Sequence, residues 1–469
     1  MQVNIPRRAF LGGAAALSIW PKGLFGDIFG DLADKSIGWK GVYPWERPDG
    51  TATDAVMVRR LYLDLAGRIP SKDEALAYVS SPDAGKRAAL VDRLLGSSEF
   101  ADYWAMRFCD ILRVKSEFPI NLWPNAVYVY HARIRKFVEE NEPWDEFGRE
   151  LLTSQGSDFR DAEVNFFRAT DQRTPEGWAD AVAQTFLGIP PGGLPPCRRA
   201  AMAKRLESLR IKNTREWKEE IVFAEGSDSR AELCDEVFGD CHAEVEAAFR
   251  TLVRGWIFGP NSKAGAKGCR MGLKDVLREI LLSDEYARGS VTGGFPARRL
   301  DAEVLDDIIC TLGEAKRNYQ SPAPEPFTFL PKDRRTVCIE DGSISSSFLT
   351  LFGRPARDTG LPGERSGEVT SKQRLYLFNS GRLHGLLGRV VLPGGWQGNP
   401  LSKLPLAKRI DDIYLRVLSR EPTEGERKIV MDLWKRRGGG KKGSKARPYD
   451  TLRDLVWCLF NTKEFLFRV

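Results

Sequence analysis

Two apolar pairs one helical turn apart occur three times along the chain, each followed at fixed spacing by a hydroxyl residue, a glutamate and an aromatic ring. The copies run from Leu90 to Phe100, from Val276 to Tyr286 and from Leu455 to Phe465. Apolar residues at i, i+1, i+4 and i+5 form one stripe on a helix, so each copy predicts an amphipathic helix. A hydroxyl residue that follows such a helix suits the N-cap of a new helical turn. The three hydroxyl residues are Ser97, Ser283 and Thr462.

The segments upstream of the first and third copies also match. Tyr62 to Glu74 and Tyr414 to Glu426 each read as a helix that ends at Arg-x-Pro, followed by a Ser/Thr-x-x-Glu capping box that opens the next helix. The third copy is longer because of a Gly- and Lys-rich insertion from Arg436 to Arg447. A middle copy that starts at Phe249 lacks the Pro-Thr/Ser-x-x-Glu element. The pattern therefore predicts repeated helical modules, two of them well preserved.

The same pattern divides the chain into an N-terminal region and two predicted domains. Residues 1–30 are predicted to be an export signal or N-terminal anchor, and residues 31–54 a linker with little periodicity. The first helical domain covers residues 55–228, and the second covers residues 231–469 with a helical module at its end. The predicted fold class is mostly α, with helical modules and a few short strands in the second domain.

Prolines and β-branched residues locate the predicted breaks and strands. Ile189 to Pro196 is a proline- and glycine-rich hinge, and a charged helix from Arg198 to Arg210 follows it, with a further segment at Glu216 to Phe223. The best candidate strands are Phe327 to Leu330 and Thr336 to Ile339, because both are short, apolar and rich in residues that favour strands.

Length and composition are typical of a soluble globular protein. The chain has 469 residues, 42% of them hydrophobic and 29% charged, which allows two or three domains with substantial cores. The net charge of +7 is modest at this length. The one dense basic run, from Lys435 to Lys445, is broken by glycines and is interpreted as a solvated loop. Nucleic acid is therefore not expected as a partner.

The N-terminus predicts export. Arg7 and Arg8 are followed by Ala9, Phe10 and Leu11, and an apolar stretch continues to Trp20. Such a stretch is too short to cross a bilayer but suits the core of a signal peptide. Paired arginines followed by x-Phe-Leu resemble a twin-arginine signal, which exports proteins already folded. Because no cleavage site is evident, the segment could also stay attached as a membrane anchor.

Histidine and cysteine chemistry is sparse. The chain has three histidines, which are His131, His242 and His384. Few Ser-His-Asp triads, Cys-His pairs or histidine-rich zinc sites are therefore possible. His131 follows two tyrosines in a helical run and is interpreted as structural. Cys234 and Cys241 could form a disulfide in an oxidising compartment, but their spacing beside His242 is unlike that of a zinc knuckle.

The other cysteines are interpreted by the pattern around them. Cys109, Cys310 and Cys458 lie in helical apolar patterns and are predicted to be buried small hydrophobic residues. We predict no metal site and no cofactor.

The densest polar cluster of the second domain is the first place to look for a site, although no catalytic residue can be named from the sequence. Its arginines present planar forks that suit carboxylate or sulfate groups. The alternative is a salt-bridge network that holds a long loop, with the serines in a turn before a capped helix. The cluster consists of Asp341, Ser343, Ser345, Arg354, Arg357, Asp358 and Glu364.

Three other patterns have simpler structural interpretations. The acidic group Asp301, Glu303, Asp306 and Asp307 is interpreted as ion-paired with nearby arginines. The less favoured alternatives are acid–base catalysis and the binding of a hard cation. Gly438 to Ser444 lacks the Gly-Lys-Ser/Thr ending of a phosphate loop and is read as a linker. Most tryptophans are predicted to be buried, and Trp396 between glycines is the best candidate for exposure.

Several segments resemble those of a known family. In the first predicted domain they are Arg59 to Pro70, Leu90 to Trp104 and Val114 to Asn125, and in the second they are Arg298 to Asp307, Pro324 to Pro331, Asp341 to Ser346, Leu351 to Asp358, Gln373 to Ser380 and Asn461 to Arg468. Together these segments resemble a known pair of domains of unknown function. Members of that family are exported, are abundant in planctomycete-like bacteria, and are often fused to a planctomycete-type cytochrome c domain. The resemblance implies an architecture and a compartment, and no established activity. This chain contains no Cys-x-x-Cys-His, so it carries no covalently attached c-type haem.

These observations give two functional hypotheses. The leading one is an exported protein of the periplasm or cell envelope that acts as a binding or assembly component, with other envelope proteins or polysaccharide as partners. The alternative is an enzyme or redox accessory that acts on extracellular polysaccharide through the region from Asp341 to Arg365. A cleft that joins Asp341, Arg354, Arg357 and Asp358 would favour the enzyme.

Overall fold

A computed structural model describes residues 46–213, 218–224, 229–260, 272–290, 294–317, 319–323, 328, 330–394, 400–439 and 448–469. The predicted export segment, most of the linker, Trp396 and the Gly438 to Ser444 linker beyond Gly439 lie outside these residues. Among the described residues, no helix combines the length and the apolar character needed to cross a membrane.

Helices dominate the first half of the described chain. Several begin with proline at the first helical turn, where its missing N–H costs no hydrogen bond. The helices are α1 Asp54–Ala66, α2 Lys72–Ser80, α3 Lys86–Leu95, α4 Ser98–Ile111, α5 Pro124–Glu140, α6 Trp144–Thr153, α7 Asn165–Arg168, α8 Pro175–Leu187, α9 Pro196–Leu206, α10 Ser229–Cys234 and α11 His242–Phe258.

The second half continues with helices and longer loops. Short 3-10 turns lie at Thr336–Cys338, Pro362–Glu364 and Pro400–Lys403. The helices are α12 Leu273–Leu282, α13 Asp284–Ala287, α14 Ala302–Leu312, α15 Ser347–Leu351, α16 Ser371–Asn379, α17 Gly381–Val391, α18 Leu406–Leu418, α19 Glu424–Arg436, α20 Pro448–Phe460 and α21 Lys463–Leu466. The predicted mostly helical fold class is confirmed.

Two small antiparallel sheets accompany the helices. β1 Gly156–Ser157, β2 Leu209–Asn213 and β3 Glu219–Phe223 form a sheet in the order β1-β3-β2, with Ile221 opposite Ile211. β4 Arg298–Arg299 pairs with β5 Phe467–Arg468, which joins two parts of the second predicted domain.

The strand positions differ in part from the sequence prediction. Thr336–Cys338 forms a 3-10 turn, because its backbone is held by the buried carboxylate of Asp307, which accepts from the nitrogens of Thr336 and Val337. Of the other candidate, Thr328 and Leu330 belong to no strand, and Phe327 and Phe329 lie outside the described residues. The predicted charged helix ends at Leu206, before β2.

The core of the first half is aromatic. Trp144 of α6 stacks on Phe249 of α11, with ring centroids 5.5 Å apart, and Phe108 of α4 contacts Trp256 of α11 at 5.3 Å. Trp104 and Trp144 are fully buried, as predicted for most tryptophans. These rings join helices that are distant in sequence, so aromatic packing defines the centre of this half.

All three hydroxyl residues of the sequence pattern cap helices as predicted. The side chain of Ser97 accepts from the nitrogen of Phe100 at 3.2 Å, at the start of α4. Ser283 caps α13 in the same way, and Thr462 caps α21. The stripe residues of each preceding helix are buried, so the apolar pairs face the core.

The segment after α1 is held by one arginine. Gly67 ends α1 with a left-handed φ of 57°, and Ser71 forms the predicted capping box with Glu74. Arg68 donates to Glu74 at 2.8 and 3.0 Å and to Glu99 at 2.8 Å.

The segment after α18 makes the same contacts. Ser419 ends α18 with φ of 61°, and Thr423 forms a capping box with Glu426. Arg420 donates to Glu426 at 2.8 Å through both terminal nitrogens, and to Glu464 at 2.7 Å. A bidentate pair of this kind fixes the direction in which the next helix leaves.

Candidate functional site

The predicted polar cluster lies on the loops around α15, where the second half of the chain meets the first. Asp341 is buried and accepts from the backbone nitrogen of Ser116 at 3.0 Å and from its hydroxyl at 2.5 Å. Ser343 accepts from the nitrogen of Glu117 at 2.9 Å. The loop after α4 is therefore held directly by two members of the cluster.

Arg357 is the most buried member. Its Nε donates to Asp110 of α4 at 2.9 Å, and its Nη1 donates to the carbonyl of Glu340 at 2.6 Å. Burial disfavours the charged form of Arg357, but Asp110, Cys109 and Glu303 together outweigh burial and raise its pKa. A guanidinium held this way fastens α4 to the loop that carries Asp341.

Asp358 and Glu364 complete the loop on the other side of Arg357. Asp358 forms an ion pair with Lys115 at 2.5 Å. Glu364 accepts from the backbone nitrogens of Asp358 and Thr359 at 3.0 and 3.1 Å, which closes the loop on itself. Both carboxylates therefore have structural partners.

Arg354 and its neighbour Arg365 share the buried carboxylate of Glu303 in α14. Arg365 donates to Glu303 at 2.6 Å and to Asp110 at 2.7 Å, and the Nε of Arg354 lies 3.3 Å from Glu303. Burial lowers the pKa of Arg354 to about 10. These contacts agree with the salt-bridge alternative for the cluster, because the charges face one another rather than a cleft.

The neighbouring acidic group is ion-paired, as favoured from the sequence. Asp307 pairs with Arg317 at 2.8 Å, and Asp306 pairs with Arg382 at 2.9 Å. Burial favours the neutral form of Asp301, but Arg107 and Arg365 outweigh burial and hold its pKa at about 2.

An open groove lies beside the serines of the cluster. Its volume is about 660 Å³, within the range of small-molecule and cofactor sites. The described residues that line it are uncharged, and most carry a hydroxyl group. They are Gln320, Ser321, Pro322, Ser343, Ser345, Ser346, Ser347, Thr350 and Leu351. Only Ser343 and Ser345 belong to both the groove and the predicted cluster.

An exposed aromatic ring follows the loop residue that contacts this groove. Phe118 is 83% exposed, the largest exposure of any large hydrophobic side chain in the described residues. It follows Glu117, whose nitrogen donates to the groove residue Ser343. The exposure of Phe118 was not predicted from the sequence. Its place between Glu117 and Pro119, in a loop with little periodicity, could have indicated it.

The histidines do not gather into a site. His131 is buried in α5, while His242 starts α11 and His384 lies in α17, both exposed. His384 contacts the carbonyl of Phe378 at 3.0 Å. In the part of the chain described here, no group of three His, Cys, Asp or Glu side chains could hold a metal ion.

The cysteines are free thiols in the described residues. Cys109, Cys310 and Cys458 are buried, as predicted, and burial raises the pKa of Cys109 to about 12. Cys234 and Cys241 are not bridged in this structure. Buried thiols of high pKa are poor nucleophiles, so these positions have packing roles.

The fold is that of a mostly helical protein whose two halves share buried ion pairs. Residues 45–190 match the family model PSCyt2, a protein of unknown function (DUF1549), and residues 269–434 match PSD1, a protein of unknown function (DUF1553). The chain belongs to the proteins that pair these two domains of unknown function, as the resemblance implied. No curated protein and no solved structure matches the chain.

Proposed function

We propose that this chain is an exported binding component of the cell envelope, and that its groove beside α15 holds an uncharged segment of polysaccharide. The groove carries the proposal, because it combines a volume of about 660 Å³ with an uncharged lining rich in hydroxyl groups. Hydroxyl groups donate and accept hydrogen bonds, as sugar hydroxyls do, and a neutral lining imposes no desolvation of charge on a neutral ligand.

Phe118 supports the same ligand class. Its ring is 83% exposed, and it directly follows Glu117, whose nitrogen donates to the groove residue Ser343. An exposed ring offers an apolar face on which a sugar ring can stack. Its loop is fixed by the contacts of Ser116 and Glu117 with Asp341 and Ser343, so the ring is presented from an ordered backbone.

The enzyme hypothesis receives less support from the geometry. Asp341, Arg354 and Arg357 are largely buried and hold loops together, whereas a catalytic acid or base must reach the substrate. The described residues that line the groove include no carboxylate, histidine or cysteine. A hydrolase acting on polysaccharide would need such groups within reach of the bond it cleaves.

We also propose that the segments from Tyr62 to Glu99 and from Tyr414 to Glu464 are copies of one helical module. The matching contacts of Arg68 and Arg420 support this, since each arginine joins a capping-box glutamate to a glutamate in the next capped helix. In this proposal the modules form the scaffold, and the groove loops provide the binding surface.

The test is affinity electrophoresis of the full chain in gels that contain neutral or anionic polysaccharides. We expect a neutral polysaccharide to retard the protein, and Ser347→Trp to abolish the retardation by filling the groove. Ser98→Trp is the matched control, because Ser98 and Ser347 are both exposed and each directly follows a capping serine. Phe118→Ala should weaken binding about fivefold, or about 1 kcal/mol.

Three outcomes would overturn the proposal. The first is equal retardation of the Ser347→Trp and Ser98→Trp variants, which would place binding elsewhere. The second is the absence of retardation by any neutral polymer. The third is cleavage of the polymer during the assay, which would restore the enzyme hypothesis.

A further inference from the structure

A small pocket lies where the two halves of the chain meet, at the N-terminus of α14 beside its N-cap residue Asp301. Its volume is about 30 Å³, and its charged residues come from α1, α4, β4, the N-cap of α14 and β5. This is far below the size of a substrate pocket and close to the volume of one water molecule. The charged residues are Asp64, Arg107, Arg298, Arg299, Asp301 and Arg468.

The pocket has more positive than negative charge. Arg107 is paired with Asp301, and Arg468 is paired with Asp64. The two arginines of β4 donate mainly to backbone carbonyls: Arg298 to Gly255 and Trp256 at 3.0 Å each, and Arg299 to Phe352 at 2.7 Å. Four guanidinium groups against two carboxylates leave a formal excess of two positive charges.

One donor in this lining has no protein partner. Arg468 is 8% exposed, and its Nε makes no hydrogen bond, although both terminal nitrogens do. A buried donor without a partner costs about 1–3 kcal/mol, more when it is charged. The mutual repulsion is felt at Arg298, where burial, Arg468 and Arg107 lower the pKa to about 10.

We propose that this pocket binds one small inorganic anion of the size of chloride, which neutralises part of the excess charge where the two halves meet. Its class follows from the lining: the guanidinium groups select negative charge, and the volume admits a monatomic ion rather than a sugar or nucleotide. The site is separate from the groove beside α15, and it does not depend on the proposed function.

The first test measures the thermal stability of the full chain while chloride replaces gluconate at constant ionic strength. Gluconate is too large for the pocket, so the Tm should rise saturably with chloride, by about 2 °C or more, and bromide should act like chloride. Constant ionic strength separates binding from general screening.

Two variants locate the effect. Arg298→Gln should remove the chloride dependence, because it deletes one of the unneutralised guanidinium groups, whereas Arg298→Lys should keep much of it. Arg278→Gln is the control, since it removes the same charge from an exposed pair with Asp92 and should leave the dependence unchanged.

The second measurement is bromide anomalous diffraction from crystals grown of the wild-type chain, which needs no variant. A peak between Arg298 and Arg468 supports the proposal. Equal Tm curves in chloride and gluconate, a chloride effect that survives Arg298→Gln, or a water molecule in place of bromide would each overturn it. If Arg298→Gln fails to fold, the wild-type peak still decides.

Discussion

Arg365 shows how single residues hold the two halves together. It donates to Asp110 of α4 and to Glu303 of α14, two buried carboxylates from different matched domains. Burial opposes the charge of this guanidinium, but Asp110 and Glu303 outweigh burial and raise its pKa well above the ordinary value. Removing one partner would leave a buried charge without compensation, which typically costs about 3–5 kcal/mol.

At this scale the sequence grouped residues that contact one another, but it did not predict their partners in the first half of the chain. The arginines and carboxylates from Asp341 to Arg365 were recognised as a cluster, and their ion pairing was one of two open interpretations. Asp110 and Lys115 were missed because they lie in the first half of the chain, and no local spacing predicts which distant loop a charge meets.

His131 predicts a pH dependence of stability. Burial, with smaller contributions from Arg357 and Arg334, lowers its pKa from 6.5 to about 3. Below pH 6.5 His131 therefore binds a proton in the unfolded chain and stays neutral in the folded chain. The free energy of unfolding should fall with falling pH over this window, by up to about 1.4 kcal/mol per pH unit from this residue.

Urea unfolding between about pH 6 and pH 4 measures this slope. In His131→Phe the free energy of unfolding should depend less steeply on pH, by the equivalent of one bound proton. Above pH 7 the difference in unfolding free energy between the wild type and the variant should stay constant. Equal slopes in the two proteins would show that His131 is not held neutral by the fold.

At the scale of elements, local chemistry predicted helix starts well. The caps at Ser97, Ser283 and Thr462 and the capping boxes at Ser71 and Thr423 are all formed. A cap needs only residues within one turn, so the sequence contains the whole interaction.

Strands were harder to predict because their partners are distant. In β2 and β3 only Leu209 and Ile221 are buried, and the other side chains are half-buried or exposed. Charged, half-exposed strands of this kind lack a clear period-2 pattern. The sequence therefore predicted a charged helix that extends to Arg210, into the start of β2. The apolar segment at Thr336 formed no strand because Asp307 captured its backbone donors instead.

We expect the same loss of stability when any of the three helix caps is removed. Ser97→Ala, Ser283→Ala and Thr462→Ala should each reduce the free energy of unfolding by about 1 kcal/mol, because each leaves a helix N–H without its acceptor. Chemical denaturation of the single variants gives these values. Ser98→Ala, at an exposed position beside one cap, should change stability by less than about 0.5 kcal/mol.

At the scale of the whole molecule, the sequence predicted the class and the paired families, while the way the halves join came only from the structure. The loop after α4 binds Asp341 and Ser343, and α1 contacts β5 through Asp64 and Arg468. These contacts join polar groups more than two hundred residues apart in the chain, and no periodic pattern in the sequence predicts such long-range contacts.

The proposed export through a twin-arginine signal belongs to this scale too. Replacing Arg7 and Arg8 together by lysine keeps the charge but removes the paired guanidinium groups, so we expect the full chain to remain in the cytoplasm. Cell fractionation with immunoblotting checks this. Lys22→Arg is the control for a basic substitution nearby, and unchanged export of the double-lysine variant would contradict the twin-arginine assignment.

The contacts of α1 with α18 and with Val469 have a consequence for biosynthesis. Arg60 donates to the carbonyl of Val469 at 2.9 Å, and Arg59 donates to Val417 at 2.9 Å. At about 5–20 residues per second, a ribosome needs tens of seconds between making α1 and making these partners. Helices α2, α3 and α4 pack against α1 and are made soon after it, but the guanidinium groups of Arg59 and Arg60 lack their final partners during that time. The part of the α1 surface that carries them therefore stays open until these partners have been made.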